Sequence, residues 1–160
     1  KQQTETLRAM PSSSEAKKFK ATHFDYCTFS GLFRRRNEKE LLQHSGLMCL
    51  DFDHVGNPDT LKEQLLKHEY FDTELMFTSP SGDGVKWIIP IELKGWEHAR
   101  LFKAVANCIK STGLPPVDNS GSDVARSCFL PYDPQAYLNP KYEEYVKENI
   151  FRPRMGECPF

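Results

Sequence analysis

Gly46-Leu47-Met48-Cys49-Leu50-Asp51-Phe52-Asp53-His54-Val55 is a short apolar run with two acids near its end, and the predicted fold is built around it. Apolar runs of this length, rich in strand-compatible residues, predict a buried β-strand. Because side chains alternate between the two faces of a strand, Met48, Leu50 and Phe52 are expected on one face. The other face then carries a set that includes both acids: Leu47, Cys49, Asp51 and Asp53.

The spacing of the two acids predicts a cation site. Asp51 and Asp53 would lie about 6–7 Å apart at the backbone on one face of the strand. Burial of an unpaired carboxylate costs free energy, and two neighbouring carboxylates repel each other. A hard divalent ion relieves both problems, because such ions prefer oxygen ligands. Taken alone, the spacing favours a different interpretation, in which the strand runs into solvent and both acids are hydrated.

The composition is that of a soluble globular domain. The chain has 160 residues, of which 39% are hydrophobic and 27% charged, and this length suits one domain with a substantial core. No apolar run approaches the length of a membrane span, and residues 1–20 do not resemble a signal peptide. Five scattered cysteines without a C-x-x-C pair indicate reduced thiols and a cytoplasmic location. We expect one domain over residues 1–160, forming the N-terminal part of a longer protein.

Positive charge is concentrated in the first quarter of the chain, although the formal net charge is only −1. Residues 1–40 carry nine lysines and arginines against five acids. Any contact with nucleic acid would therefore depend on a local patch in this region. Two clusters are candidates, although each is also typical of a solvated surface: Lys17, Lys18 and Lys20 on a predicted helix, and Arg34, Arg35 and Arg36 after a predicted strand.

Helices and strands are predicted in a mixed order. The segments, in chain order, are helices over 3–9 and 12–22, a strand over 25–33, a helix over 38–43, a strand over 47–55, a helix over 59–69, strands over 74–78 and 85–91, a helix over 96–111, a strand over 127–130 and a helix over 142–148. From residue 47 on, this is the βαββαβ order of ferredoxin-like or RRM-like units. It predicts an α+β fold with a mixed or antiparallel sheet, packed helices and an N-terminal α/β extension.

The turn Ser79-Pro80-Ser81-Gly82-Asp83-Gly84-Val85-Lys86 joins two predicted strands. Glycines let backbone N–H groups approach an anion, hydroxyls donate to phosphate oxygens, and lysine supplies positive charge. The spacing is not that of a Walker A loop, and no helix follows at once. A plain turn with a hydrated lysine is an equally good interpretation of these residues alone.

A third polar segment precedes the last predicted strand. It is Val117-Asp118-Asn119-Ser120-Gly121-Ser122-Asp123-Val124-Ala125-Arg126-Ser127-Cys128-Phe129-Leu130. Arg126 could bind a phosphate or pair with either acid. A polar loop with a local bridge between aspartate and arginine is the competing interpretation.

In this order, the three segments resemble the archaeo-eukaryotic primase superfamily, the primase-polymerases. That family carries an acidic h-D-h-D/E-h strand, then an S-x-H strand, then an h-D element followed by arginine. The counterparts here are Leu50-Asp51-Phe52-Asp53-His54, the turn at Ser79, and Val117-Asp118 with the trailing Arg126. The turn and Arg126-Ser127-Cys128-Phe129-Leu130-Pro131-Tyr132-Asp133-Pro134 resemble the primase-like N-terminal domain of VirE-type proteins from bacterial mobile elements. The resemblance covers about residues 24–140, and Lys86 stands where the family has the histidine of its second motif.

This resemblance implies a metal-dependent primase or nucleotidyltransferase domain that acts in the replication of a mobile element. Asp51, Asp53 and Asp118 would hold Mg²⁺ or Mn²⁺, with Asp123 as the alternate third acid; the family motif favours Asp118, which follows an apolar residue. The implied nucleotide-binding residues are Ser79, Ser81, Gly82, Gly84, Lys86 and Arg126. The basic clusters would bind a single-stranded DNA template, beside a possible helicase-like domain or subunit. The alternative is a catalytically degenerate module that binds nucleotide or single strands, or only positions a helicase domain.

Overall fold

The computed structural model describes residues 1–143 and residue 145. Its main sheet has four strands, namely β4 (Leu47–Phe52), β5 (Leu75–Thr78), β6 (Val85–Pro90) and β8 (Tyr137–Leu138). The spatial order is β4-β6-β5-β8, and every pairing is antiparallel. Two further antiparallel pairs join β1 (Tyr26–Cys27) to β7 (Cys128–Phe129) and β2 (Gly31–Phe33) to β3 (Leu41–His44).

Four α-helices lie entirely within the described residues: α1 (Gln2–Arg8), α2 (Ser13–His23), α3 (Pro58–Leu66) and α4 (His98–Ser111). The predicted cap of α2 is confirmed, because the Ser12 hydroxyl accepts a hydrogen bond from the Glu15 backbone N–H at 3.4 Å. The start of α3 differs from the expected residue 59. The Asn57 side chain caps this helix and Pro58 occupies its first turn, where a missing N–H does no harm.

α3 and α4 supply the apolar side chains that cover one face of the main sheet. Phe102, Val105 and Ile109 recur on one side of α4 and pack against the sheet. The core also contains residues of β4 and β6 that share this face, together with two leucines of α3: Met48, Leu50, Phe52, Val85, Trp87, Ile89, Leu61 and Leu65. This confirms the predicted alternation along β4.

The opposite face of the main sheet carries the polar residues of β4. A smaller cluster of Phe77, Ile88 and Cys128 covers part of it, with Cys49 packed against that cluster. Asp51 lies on this face, directly across from Lys86 in the register of β4 and β6. Asp51 is therefore on the face of the main sheet opposite to α3 and α4.

The predicted α+β class with an antiparallel sheet is confirmed, but two local predictions were wrong. The strand over 25–33 is two strands, because a turn closed by a 3.3 Å hydrogen bond from Gly31 N to Thr28 O interrupts it. The helix over 38–43 is a short 3₁₀ helix at Glu38–Glu40 followed by β3. Pairing of β3 with β2 outweighs the local helical preference.

The predicted βαββα order from residue 47 is confirmed, but the following strand was misplaced. β7 pairs with β1 instead of joining the main sheet. The fourth strand of that sheet is β8, a two-residue strand beside β5 that the sequence pattern did not indicate. The helix predicted over 142–148 extends outside the described residues.

Candidate functional site

A pocket of about 160 Å³ opens on the face of the main sheet that carries Asp51. We call it the central pocket. Its lining comes from distant parts of the chain: Lys20, Asp51, Asp53, Ser79, Pro80, Ser81, Lys86, Arg126, Ser127 and Phe129. Seven of the predicted site residues are in this set, although up to 106 positions separate them in the sequence, from Lys20 to Arg126.

Asp51 and Lys86 form an ion pair in the floor of the central pocket. The Lys86 ammonium donates to Oδ2 of Asp51, whose residue is only 8% exposed. Burial lowers the pKa of Lys86, because desolvation disfavours a charged ammonium. Oδ1 of Asp51 is buried and has no hydrogen-bond partner among the described residues. A buried carboxylate oxygen without a partner is costly, so this atom would gain from a cation or a donor.

Asp118 lies beside β4 in the loop after α4, although it is not among the residues that line the central pocket. Its backbone N–H donates to the carbonyl oxygen of Asp51 at 2.7 Å. Its carboxylate accepts from Ser120 N at 2.6 Å, and hydrogen bonding to Ser120 is the main cause of the lowered pKa of Asp118. The side chain of Asp118 lies near that of Asp53. Burial, followed by the charge of Asp118, raises the pKa of Asp53.

Asp51, Asp53 and Asp118 supply carboxylate oxygens, which are the donor atoms that a hard divalent cation prefers. A cation would relieve the repulsion between Asp53 and Asp118, and Asp51 offers an oxygen without a partner among the described residues. Within the described residues, however, no group of three or more His, Cys, Asp or Glu side chains is arranged to hold a metal ion. Lys86 engages the second oxygen of Asp51 instead. Mg²⁺ is usually held by one or two carboxylates together with phosphate and water, and such a set is compatible with this geometry.

The turn after β5 is fixed against the end of β4. The Ser79 hydroxyl accepts from Gly84 N at 3.1 Å and lies 3.0 Å from the Ser81 hydroxyl. A Cβ on Gly84 would stand closer than 3.0 Å to the carbonyl oxygen of Phe52. Gly82 has φ +90°, a backbone conformation that favours glycine. Both glycines are therefore required by the shape of the turn, which presents Ser79 and Ser81 to the central pocket.

Arg8 is a site residue that the sequence did not indicate. Its Nε donates to the carbonyl oxygen of Pro80 at 3.3 Å, and its Nη2 donates to that of Ser79 at 3.2 Å. α1 thereby holds the turn from outside. One arginine in a short polar helix carries no sequence pattern that links it to a turn 71 positions away.

His54 and Asp83 form a second link between β4 and the turn. Nδ1 of His54 lies 2.5 Å from Oδ2 of Asp83, and Val55 N donates to the Asp83 carbonyl oxygen at 2.8 Å. His54 has φ 53°, which is uncommon for a residue other than glycine. Burial would raise the pKa of Asp83, but hydrogen bonds from Ser81 and His54 outweigh it and hold this pKa low.

Several predicted residues lie elsewhere. Asp123 is turned into its own loop, where Oδ1 accepts from Ala125 N at 2.9 Å, so Asp118 is the acid beside Asp53. Lys20 lines the central pocket, whereas the other basic candidates do not: Lys17, Lys18, Arg34, Arg35 and Arg36. The three arginines are exposed on the segment after β2, and Arg34 lies 3.7 Å from Glu40.

The protein is an α+β domain in which one face of an antiparallel sheet carries a pocket lined by both acidic and basic side chains. Residues 18–138 match the family described as BT4734-like, N-terminal domain. The chain therefore belongs to this family.

Other comparisons add one solved structure. The chain is similar to the polymerase domain of Mycobacterium tuberculosis ligase D in complex with DNA, with 18% identity and a TM-score of 0.37. The match covers 55% of this chain and 39% of that one. Comparison with curated proteins gives no match. No helix in the described part of the chain combines the length and the apolar character needed to cross a membrane.

Proposed function

We propose that this protein is a metal-dependent nucleotidyltransferase domain of the primase type, which binds a nucleoside triphosphate in the central pocket. One observation carries the proposal. Asp51 of β4 and Asp53, which follows this strand, share a single pocket with hydroxyls, lysines and an arginine contributed by other segments. Carboxylates that can hold a hard cation, placed beside donors that can hold phosphate, are what phosphoryl transfer requires.

The roles of the side chains follow from their positions. The hydroxyls of Ser79 and Ser81 would donate to phosphate oxygens, and Arg126 would add a planar charged donor at the rim. Lys86 would move from Asp51 to the triphosphate as the carboxylate takes up Mg²⁺ or Mn²⁺, with Asp53 and Asp118 completing the acidic set. The ion, when bound, supplies neutralisation of phosphate charge and activation of the attacking hydroxyl.

The biological setting is the finer part of the proposal. The resemblance to VirE-type proteins supports a role in the replication of a mobile element, with a single-stranded DNA template and a helicase-like partner. The candidates for binding nucleic acid are Lys17, Lys18, Lys20, Arg34, Arg35 and Arg36. Binding through such residues would weaken steeply with salt, because it depends on release of counterions.

A second candidate function is nucleotide or single-strand binding without chemistry. Lys86 favours it, since this residue replaces the histidine of the family motif and already engages Asp51. A lysine that stays on Asp51 would compete with a metal for the carboxylate. Primer synthesis by the purified protein would exclude this candidate.

Isothermal titration of a nucleoside triphosphate with Mn²⁺ tests the proposal. We expect the wild-type protein to bind in a metal-dependent manner and the Asp51→Asn/Asp53→Asn variant to lose that binding. Asp72→Asn is the matched control, because Asp72 is an exposed carboxylate outside the central pocket. Binding that survives in the double variant, or is absent from the wild type, would refute the assignment.

A further inference from the structure

A groove of about 350 Å³ adjoins the central pocket on the side of α1 and α2. We call it the α1–α2 groove. It shares Lys20, Asp53 and Ser81 with the central pocket. A ligand lying in this groove would therefore reach Asp53 and meet the occupant of the central pocket there.

One face of α2 forms a wall of the α1–α2 groove. Ser13, Ala16, Lys17 and Lys20 line the groove. Residues three and four apart lie on one side of a helix, so this spacing directs both lysines into the groove. Lys18 is absent from the lining, although it is the next residue along α2.

α1 contributes an apolar surface and a third cation. Leu7 and Met10 line the groove together with Arg8. The bonds that fix Arg8 use Nε and Nη2 and end on the uncharged carbonyl oxygens of Pro80 and Ser79. They hold the guanidinium in place without neutralising it and leave Nη1 for a further acceptor. α1 precedes residues 18–138, which the family model matches.

The charge of the groove is positive. Within the described residues, Arg8, Lys17 and Lys20 take part in no ion pair with a carboxylate. Asp53 is the single acid among the described residues that line the groove. Cations spaced along an apolar wall suit an extended polyanion with apolar parts, which is the character of a single-stranded nucleic acid.

We infer that the α1–α2 groove binds the acceptor strand, a single-stranded nucleic acid whose 3′ end is directed at Asp53. The inference rests on the proposed function, because nucleotidyl transfer needs a 3′-hydroxyl next to the bound triphosphate. In that reaction the 3′ oxygen bonds to the α-phosphorus, and pyrophosphate leaves with the electrons of the broken P–O bond. The hydroxyl proton passes to water. The junction of the two cavities at Asp53 is where these groups would meet.

Fluorescence anisotropy of a labelled single-stranded DNA, measured over a range of salt concentrations, tests the inference on the whole chain. For single strands, each phosphate contact contributes about 0.7 to the slope of log affinity against log salt. Loss of one contact then weakens binding about fourfold at about 0.15 M salt. We expect this loss, together with the smaller salt slope, from Lys17→Gln and from Arg8→Gln.

A control variant separates a groove from general attraction. Lys103→Gln removes the same charge from α4, which packs on the other face of the main sheet. It should weaken binding less than Lys17→Gln does. Equal weakening by Lys17→Gln and Lys103→Gln, no weakening by Lys17→Gln, or no binding to the wild type would overturn the inference.

The same variants distinguish failure of this inference from failure of the proposed function. Triphosphate titration of Arg8→Gln reveals any damage to the turn at Ser79, and Lys17→Gln, which makes no contact with that turn, then carries the test. Triphosphate binding that survives Asp51→Asn/Asp53→Asn would refute the proposed function. Because the triphosphate titration contains no DNA, its result does not alter the comparison of DNA binding by anisotropy.

Discussion

Replacement of Lys86 by methionine is the most informative single perturbation of the site. Lysine and methionine side chains are similar in length, so Lys86→Met removes the ammonium group and leaves most of the apolar part of the side chain. Asp51 then keeps its charge but loses the donor to Oδ2, and Oδ1 is already without a partner among the described residues. The variant therefore leaves an uncompensated carboxylate in the floor of the central pocket.

The magnitude follows from the burial of the pair. The Lys86 and Asp51 side chains are 14% and 11% exposed. Removal of one partner from a buried ion pair costs about 3–5 kcal/mol. The small residual exposure places the expected loss at the lower end, about 3 kcal/mol. With a urea m-value of about 2 kcal/mol/M, the unfolding midpoint falls by about 1.5 M.

Urea denaturation in EDTA and in Mn²⁺ measures both the cost and the role of the pair. In EDTA, where no metal is bound, Lys86→Met should show the full loss of stability expected from breaking the ion pair. A ligand at one hundred times its Kd stabilises a folded protein by about 2.7 kcal/mol. Because the cation no longer competes with an ammonium, Mn²⁺ should stabilise Lys86→Met more than it stabilises the wild type.

Two results would refute this reasoning. Equal stability of Lys86→Met and wild type in EDTA would show that the pair does not compensate Asp51. Equal stabilisation of both proteins by Mn²⁺ would show that Lys86 does not stand in the place of a cation. Lys94→Met is the control, because Lys94 and Glu92 form an exposed pair whose side chains are 78% and 76% accessible. Its midpoint should not move.

Three further predictions concern the support of the site and the rest of the fold. Gly84→Ala should weaken triphosphate binding in calorimetry, because the added Cβ would press on the carbonyl oxygen at the end of β4; unchanged binding would contradict the close approach. His98 donates to or accepts from His44 at 3.1 Å, and burial lowers its pKa below the ordinary 6.5. The unfolded state then binds more protons below pH 6.5, so the free energy of unfolding should fall as the pH drops through that range; His98→Gln should flatten the fall in urea titrations at several pH values. Asp133→Ala should lower the unfolding midpoint by an amount equivalent to about 1–3 kcal/mol, because Thr78 N donates to this carboxylate at 2.7 Å; an unchanged midpoint in urea would show that the bond is dispensable.

The sequence predicted much of the fold because those features are encoded over a few residues. The alternation along β4 follows from the period of a strand, and the apolar face of α4 follows from the period of a helix. The cap at Ser12 is a local hydrogen bond between residues three apart. The prediction at residues 38–43 failed because pairing between β2 and β3, and not local preference, selects the structure there. The strand predicted over 25–33 failed because a turn between Thr28 and Gly31 interrupts it.

For the candidate site too, some features could be predicted from local sequence and others depend on the tertiary structure. The sequence indicated the residue types, since acids at the end of an apolar strand and hydroxyls in a glycine-rich turn are readable patterns. It left open whether Asp118 or Asp123 belongs with Asp53. Only the backbone bond from Asp118 N to Asp51 O decides between them.

By itself, then, the sequence determined the α+β class, the face of β4 that carries the acids and the chemistry available at three segments, because periodicity and turn composition act locally. The tertiary structure alone decided that Lys86 stands across from Asp51, that β8 and not β7 completes the main sheet, and that Arg8 holds the turn. These contacts join residues 35 to 72 positions apart. They depend on strand register and on packing between elements, which no local pattern specifies.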